Sequence, residues 1–258
     1  MKQNTFAKNL VDVMKRLTSF LLFLLLFITN AAYSQNIATK SERVWLGYIT
    51  QTRVSDHFSL WNDAHWVSNG FGIVRTGLSY HLNNKANIVT TLGYAHLWIY
   101  PAAGNKTFRP EHRTWGQTTA SHRFSHFNFF HRLRYEARFR QVIVDDHLLN
   151  EFNFNYRTRY LFQAKYNFTK KKEAKQKYYG LISDEVAYNL GHEVKNGFRL
   201  DQNRVSAGAG CVIKNITFQL AYLNQMSKAA TTDTYSMNHH AQFLVFHNFD
   251  LRKKNSKK

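Results

Sequence analysis

Between Phe130 and Val142 polar and apolar residues alternate one for one. Arg132, Arg134, Glu136, Arg138 and Arg140 fall on one face, and Leu133, Tyr135, Ala137 and Phe139 on the other. Successive side chains of a strand point to opposite sides, so this segment has one ionic and one apolar surface. The pattern returns over Glu151–Phe168. Phe152, Phe154, Tyr156, Thr158, Tyr160, Phe162, Ala164, Tyr166 and Phe168 there oppose Glu151, Asn153, Asn155, Arg157, Arg159, Gln163, Lys165 and Asn167. Strands of soluble proteins usually run about 3–10 residues. A longer two-faced strand predicts a sheet with hydrocarbon on one side and a wet lumen on the other.

The same reading gives strands at Arg43–Arg53, Phe58–Trp66, Phe71–Leu82, Asn87–Ile99, Glu111–Arg123, Phe127–Val142, Glu151–Phe168, Lys177–Asn189, Asp201–Ile213, Asn215–Met226 and Asn238–Phe249, with no helical period between them. Bacterial single-chain barrels have even strand counts, so eleven segments imply one missed or one spurious strand, with the N-terminal region the first suspect. Short links are expected at Asn83–Ala86, Phe124–His126 and Lys214. Longer ones are expected at Tyr100–Pro110, Ile143–Asn150, Leu190–Leu200 and Ser227–Met237. A further link, Thr169–Lys177, carries Lys170, Lys171, Lys172, Lys175 and Lys177 and reads as a solvated face. The two prolines, Pro101 and Pro110, bracket a loop, as expected of a residue with no N–H to give a ladder. The fold class predicted is all-β: an antiparallel up-and-down transmembrane β-barrel of about 10–12 strands.

The ends set the compartment. Lys2, Lys8, Lys15 and Arg16 precede an apolar run from Phe20 to Ile28, then Ala31-Ala32-Tyr33-Ser34. A basic start, a short apolar core and small residues describe a signal peptide over 1–34, cut after Ser34, with Met14 an alternative start. The run is shorter than the roughly 20 residues of a spanning helix. A single barrel domain over 35–249 and a basic tail over 250–258 follow. Removing the leader, whose four cations face one acid (Asp12), lowers the formal net charge from +19 to +16. Such an excess suits nucleic acid, an anionic membrane or an anionic solute, and export excludes nucleic acid. The expected location is the cell outer membrane. Expected partners are its lipids, the insertion machinery that reads an aromatic last strand ending at Phe249, and an anionic solute. Cys211 is the sole cysteine, so no intrachain disulfide forms.

Several motifs carry a family likeness: Arg109-Pro110-Glu111-His112-Arg113, Arg132-Leu133-Arg134-Tyr135-Glu136-Ala137-Arg138-Phe139-Arg140 and Asp201-Gln202-Asn203-Arg204. Trp45-Leu46-Gly47-Tyr48, Arg75-Thr76-Gly77-Leu78-Ser79-Tyr80, Ala221-Tyr222-Leu223-Asn224-Gln225 and His247-Asn248-Phe249-Asp250 extend it in matching order over nearly all of the mature chain. With these, the chain resembles the uncharacterised outer-membrane proteins grouped as domain of unknown function 2490. The resemblance implies an exported β-barrel without an established activity, and it supplies no catalytic residues.

The candidate site is the ionic face. Arg113, Arg132, Arg134, Arg138, Arg140, Arg157, Arg159 and Arg204 are expected to meet Glu111, Glu136, Glu151, Asp184, Glu185 and Asp201 inside the barrel. A charge on the lipid face costs roughly 2–4 kcal/mol for Arg or Lys near the midplane, which drives these residues inward. Two outcomes fit: an ion-pair plug with a structural role, or a narrow anion-preferring pore. Two alternatives remain. An outer-membrane lipid acyl hydrolase would draw on His122, Ser125 and His126 near a turn, with Asn128 close by, although no triad geometry is visible. A soluble periplasmic ligand-binding barrel would invert the faces, putting Leu133, Tyr135 and Phe139 inside. No cofactor motif is present. His239-His240 point to opposite faces, and His65, His96, His112, His131 and His192 lack ligand spacing, so no metal is expected. Trp45, Trp61, Trp66, Trp98 and Trp115 are expected in interfacial girdles.

Overall fold

Eleven strands close on themselves in chain order: β1 (Asn36–Arg53), β2 (Phe58–Val67), β3 (Phe71–His81), β4 (Ile88–Ile99), β5 (Arg109–Phe124), β6 (Phe127–Val144), β7 (His147–Asn167), β8 (Gln176–Leu190), β9 (Phe198–Ile213), β10 (Ile216–Lys228) and β11 (Thr234–Asp250). The structure, a computed structural model, describes residues 36–82, 87–101, 104–169, 174–191, 198–228 and 234–252. The leader over 1–34, the links Asn83–Ala86 and 170–173, His192 and most of the basic tail lie outside the described residues.

Neighbouring strands are antiparallel except at the seam, where β1 pairs with β11 in parallel. Parity forces this. In a meander of odd count the first and last strands run the same way, so closure can only be parallel. The odd count is therefore real, and neither a missed nor a spurious strand is needed to explain it. The expectation of a wholly antiparallel barrel is corrected at this one seam, which runs from Asn36↔Thr234 to Arg53↔Asp250. Both chain ends join it from opposite rims.

Following paired residues round the wall from Arg53 through Ser59, Ser79, Thr91, Gln117, Arg134, Arg159, Ala187, Gln202, Ser227 and Ser236 returns to β1 at Thr39, fourteen positions back. A stagger of this size tilts the strands by roughly 40°. Side chains occupy much of the interior and leave a cavity of about 650 Å³.

The outer surface is largely apolar. Leu60, Leu78 and Leu92 are cross-strand partners in one row, and Leu92 is 68% exposed. Aromatic residues gather toward the strand ends: Phe58, Tyr80, Phe124, Phe127 and Tyr178 at one rim, Trp66, Trp98 and Phe152 at the other. Leu133, Tyr135 and Phe139 face outward, at 57%, 46% and 40% exposure, so the inverted barrel required by the soluble alternative is not the one formed. Of the five tryptophans expected in girdles, Trp66 and Trp98 lie exposed near a rim. Trp45, Trp61 and Trp115 point into the lumen. Gly77 and Gly93 lie opposite each other beneath Trp115, and a Cβ on Gly93 would sit 2.8 Å from its ring.

The β6–β7 hairpin stands beyond the rim. β5 joins β6 only from Glu111↔Arg140, and β8 joins β7 only from Tyr156↔Leu190, so the residues farther out pair with each other alone. The long link expected at Ile143–Asn150 is instead a two-residue turn, with Asp145 and Asp146 both in the left-handed region (φ 48° and 61°). Two such residues match the right-handed twist of a hairpin. The Asp146 carboxylate caps the neighbouring loop, accepting the backbone N–H groups of Lys106 (3.0 Å) and Thr107 (2.9 Å). Those two donors hold its pKa below the ordinary carboxylate value.

Candidate functional site

Alternation along β5 to β9 delivers the charges to one interior. Glu111, Arg113, Arg132, Arg134, Glu136, Arg138, Arg140, Arg157, Arg159 and Arg204 all point inward, and most are buried. Glu111 accepts hydrogen bonds from Arg113 (2.5 Å), Arg138 (2.7 Å) and Arg140 (3.0 Å). Glu136 accepts from Arg157 (2.5 Å) and Arg159 (3.1 Å), with Arg113 3.6 Å away. Glu185 is shared by Arg132, Arg159 and Arg204, the last at 3.2 Å. Each carboxylate therefore ties together two (Glu111), three (Glu136) or four (Glu185) neighbouring strands. Fixed planar donors make Arg suited to such sharing, because one guanidinium can address two acids at once.

Asp201 joins the lattice by a different route. On a regular strand it would face opposite to Arg204's neighbour Gln202, that is, outward. β9 carries a bulge here: Gln202 pairs with Ala187 and Leu200 with Tyr188, leaving Asp201 without a partner in the ladder. The extra residue turns inward, where Asp201 accepts from Arg157 (3.0 Å) and Asn189 (2.8 Å).

Two acids named with the ionic face lie elsewhere. Asp184 immediately precedes the inward Glu185, so its side chain lies on the outer face, where it accepts a 2.7 Å bond from Asn203. Glu151 belongs to the projecting hairpin and is exposed. Sequence reasoning also overlooked a satellite pair. Asp63 of β2 accepts from Arg75 of β3 (2.7 Å) and from the indole N–H of Trp61 (2.8 Å). Its signal was present in the sequence as Trp61, Asp63, His65 and Val67 at every second position.

The lattice does not balance its own charge. Arg134, 1% exposed, donates to the neutral Gln117 (2.7 Å) and lies over the Trp115 ring at 5.0 Å, with Glu136 its nearest carboxylate at 3.9 Å. Lys165 faces the Tyr179 ring at 4.7 Å. Beside the lattice runs a cavity of about 650 Å³, lined by ten Arg or Lys side chains but only two carboxylates, Asp63 and Glu185. Its other wall is apolar: Trp45, Ile49 and Val67 with Leu223 and Leu244, and Ile73 with Leu97, both clusters packed against Trp61 and Phe71.

The hydrolase candidates are only partly brought together. Ser125, at a left-handed turn position (φ 54°), lies 3.1 Å from Nδ1 of His126, whose ring stacks on Tyr166. His122 stacks on Phe129 and His131 instead. No carboxylate orients His126 among the hydrogen bonds and ion pairs of the described residues, so the third member of a triad is missing. Among the described residues no group of three or more His, Cys, Asp or Glu could hold a metal.

Comparison with known proteins gives three findings. The sequence profile described as protein of unknown function (DUF2490) matches residues 42–236. No curated protein matches the chain. Among solved structures, LpxR from Salmonella typhimurium aligns with a TM-score of 0.43 at 10% identity, covering 76% of this chain and 85% of that one.

Proposed function

The chain belongs to the DUF2490 family, and from its own geometry we propose an exported outer-membrane barrel with a narrow, anion-preferring lumen braced by its Arg–carboxylate lattice. The observation that carries this reading is a cationic surplus at the cavity: ten Arg or Lys side chains line it, against five interior carboxylates among the described residues, Asp63, Glu111, Glu136, Glu185 and Asp201. Buried charge without a partner is costly, so the surplus draws an anion from solution. Rings of Arg and Lys are how anion-preferring passages are built. The apolar outer belt with aromatic ends suits a bilayer, and the leader over 1–34, cut after Ser34, supplies the export route. The partners on this reading are outer-membrane lipids, the insertion machinery and a small anionic solute.

Reversal potentials across a KCl gradient, recorded on purified barrel in planar bilayers, test the reading. Chloride-favouring potentials that move toward cation preference in Lys165→Met support it. Absent conductance or cation preference overturns it.

A further inference from the structure

The cavity is two-sided, and its polar side has donors to spare. His240 is 1% exposed and neither ring nitrogen has a hydrogen-bond partner. The Nε atoms of Arg132 and Arg159 are likewise buried and unpartnered. All three residues line the cavity. Buried polar groups in folded proteins nearly always find partners, so unmatched nitrogens in the wall of a cavity this size mark the side that would draw in a ligand's polar head. The same cavity is also lined by Phe71, Ile73 and Leu97. Trp45 joins the two walls: Arg204 lies over its ring at 5.1 Å, and the rings of His240 and Phe71 each meet it edge-on at 5.5 Å.

A simple inorganic anion would satisfy only half of this surface. We propose that the lumen is a binding site for an amphiphilic anion, with a phosphate, sulfate or carboxylate head on the arginines and His240, and an aromatic or short acyl body on the Trp45–Phe71–Leu97 wall. This rests on the anion-preferring lumen proposed above and names the class of solute it takes. About 650 Å³ is room for a small solute of this kind, within the usual range of ligand pockets. The head confers retention through charge-assisted bonds. The body adds affinity by leaving water, at roughly 25 cal/mol per Å² of apolar surface buried.

Calorimetric titration of the barrel in nanodiscs of a zwitterionic lipid tests this, with empty nanodiscs as the reference. The probes are inorganic phosphate, phenyl phosphate, hexyl phosphate and phenol. Phenyl or hexyl phosphate is expected to bind on the order of tenfold more tightly than inorganic phosphate, with phenol weaker than either. Whichever organic phosphate leads assigns an aromatic or an acyl body. Trp45→Leu should cut the phenyl phosphate advantage several-fold while leaving inorganic phosphate binding in place, with heat-modifiable migration confirming that the variant is folded. Equal binding of all three phosphates would overturn the amphiphile assignment and leave the anionic lumen standing. Binding of phenol as tight as that of phenyl phosphate would overturn the role of the head. Failure of every phosphate to bind would remove the anionic lumen itself. The wild-type series decides the matter even if the variant does not fold.

Discussion

Glu185 is the acceptor on which three guanidiniums converge, Arg132, Arg159 and Arg204. Replacing it with Gln leaves three buried cations short of their counter-charge. Removing one partner of a buried pair costs about 3–5 kcal/mol, so Glu185→Gln should lower the urea midpoint of refolded barrel substantially. Arg134 stands differently: it bonds neutral Gln117 and meets Glu136 only at 3.9 Å, within a cationic surplus. Arg134→Leu should assemble well, whereas Tyr135→Arg, one residue along and outward-facing, should lose roughly 2–4 kcal/mol and most of its heat-modifiable form. Equal tolerance of the two would reject the assignment of faces. Strict alternation made the Arg132–Arg140 face readable from the sequence. It could also have separated Asp184 from Glu185, since adjacent strand residues cannot share a face. The inward turn of Asp201 was unreadable, because a bulge is a property of the pairing and not of either strand alone.

At the scale of strands, the seam and the projecting hairpin carry the tests. In a Cys211→Ala background, Leu46→Cys with Phe243→Cys places two thiols on directly paired positions. A short bifunctional thiol reagent should link them and keep the heated protein compact on gels, and no link would mean β1 and β11 do not meet in this register. At the hairpin tip, the pKa of Asp146 lies below its ordinary 3.8 because it accepts from Lys106 and Thr107. A depressed folded pKa means the contact contributes fully above the unfolded value and is lost as pH falls through the folded one. Amide ¹⁵N shifts of Lys106 and Thr107 should therefore titrate with a midpoint below 3.8, and Asp146→Asn should abolish that titration. All eleven strands were legible from period and turn residues. The tight Asp145-Asp146 turn was hidden because it lacks the glycine that usually announces such a hairpin.

For the whole molecule, the exported-barrel reading predicts recovery in the outer-membrane pellet and faster migration of unheated than heated samples. Because β1 starts at one rim and β11 ends at the other, tags at the mature N-terminus and the C-terminus should be reached from opposite sides of the membrane. Finding both on one side would contradict the parallel seam. Composition and alternation revealed the barrel and the charged interior. They could not reveal how the charges pair across strands far apart in sequence, nor that Trp45 and Trp61 would turn inward to join the apolar wall of the cavity, with Trp115 beneath Arg134.

The parallel seam also constrains ancestry. Barrels enlarge or shrink most simply by whole hairpins, and each hairpin brings one strand up and one down. That operation preserves parity, so no history of hairpin gain or loss alone connects this wall to one whose first and last strands run in opposite directions. Any relative made from it by hairpin duplication, whatever its girth, inherits a parallel closure and termini on opposite rims. An even-stranded relative would instead record the gain or loss of a single strand, together with the transfer of one chain end to the other side.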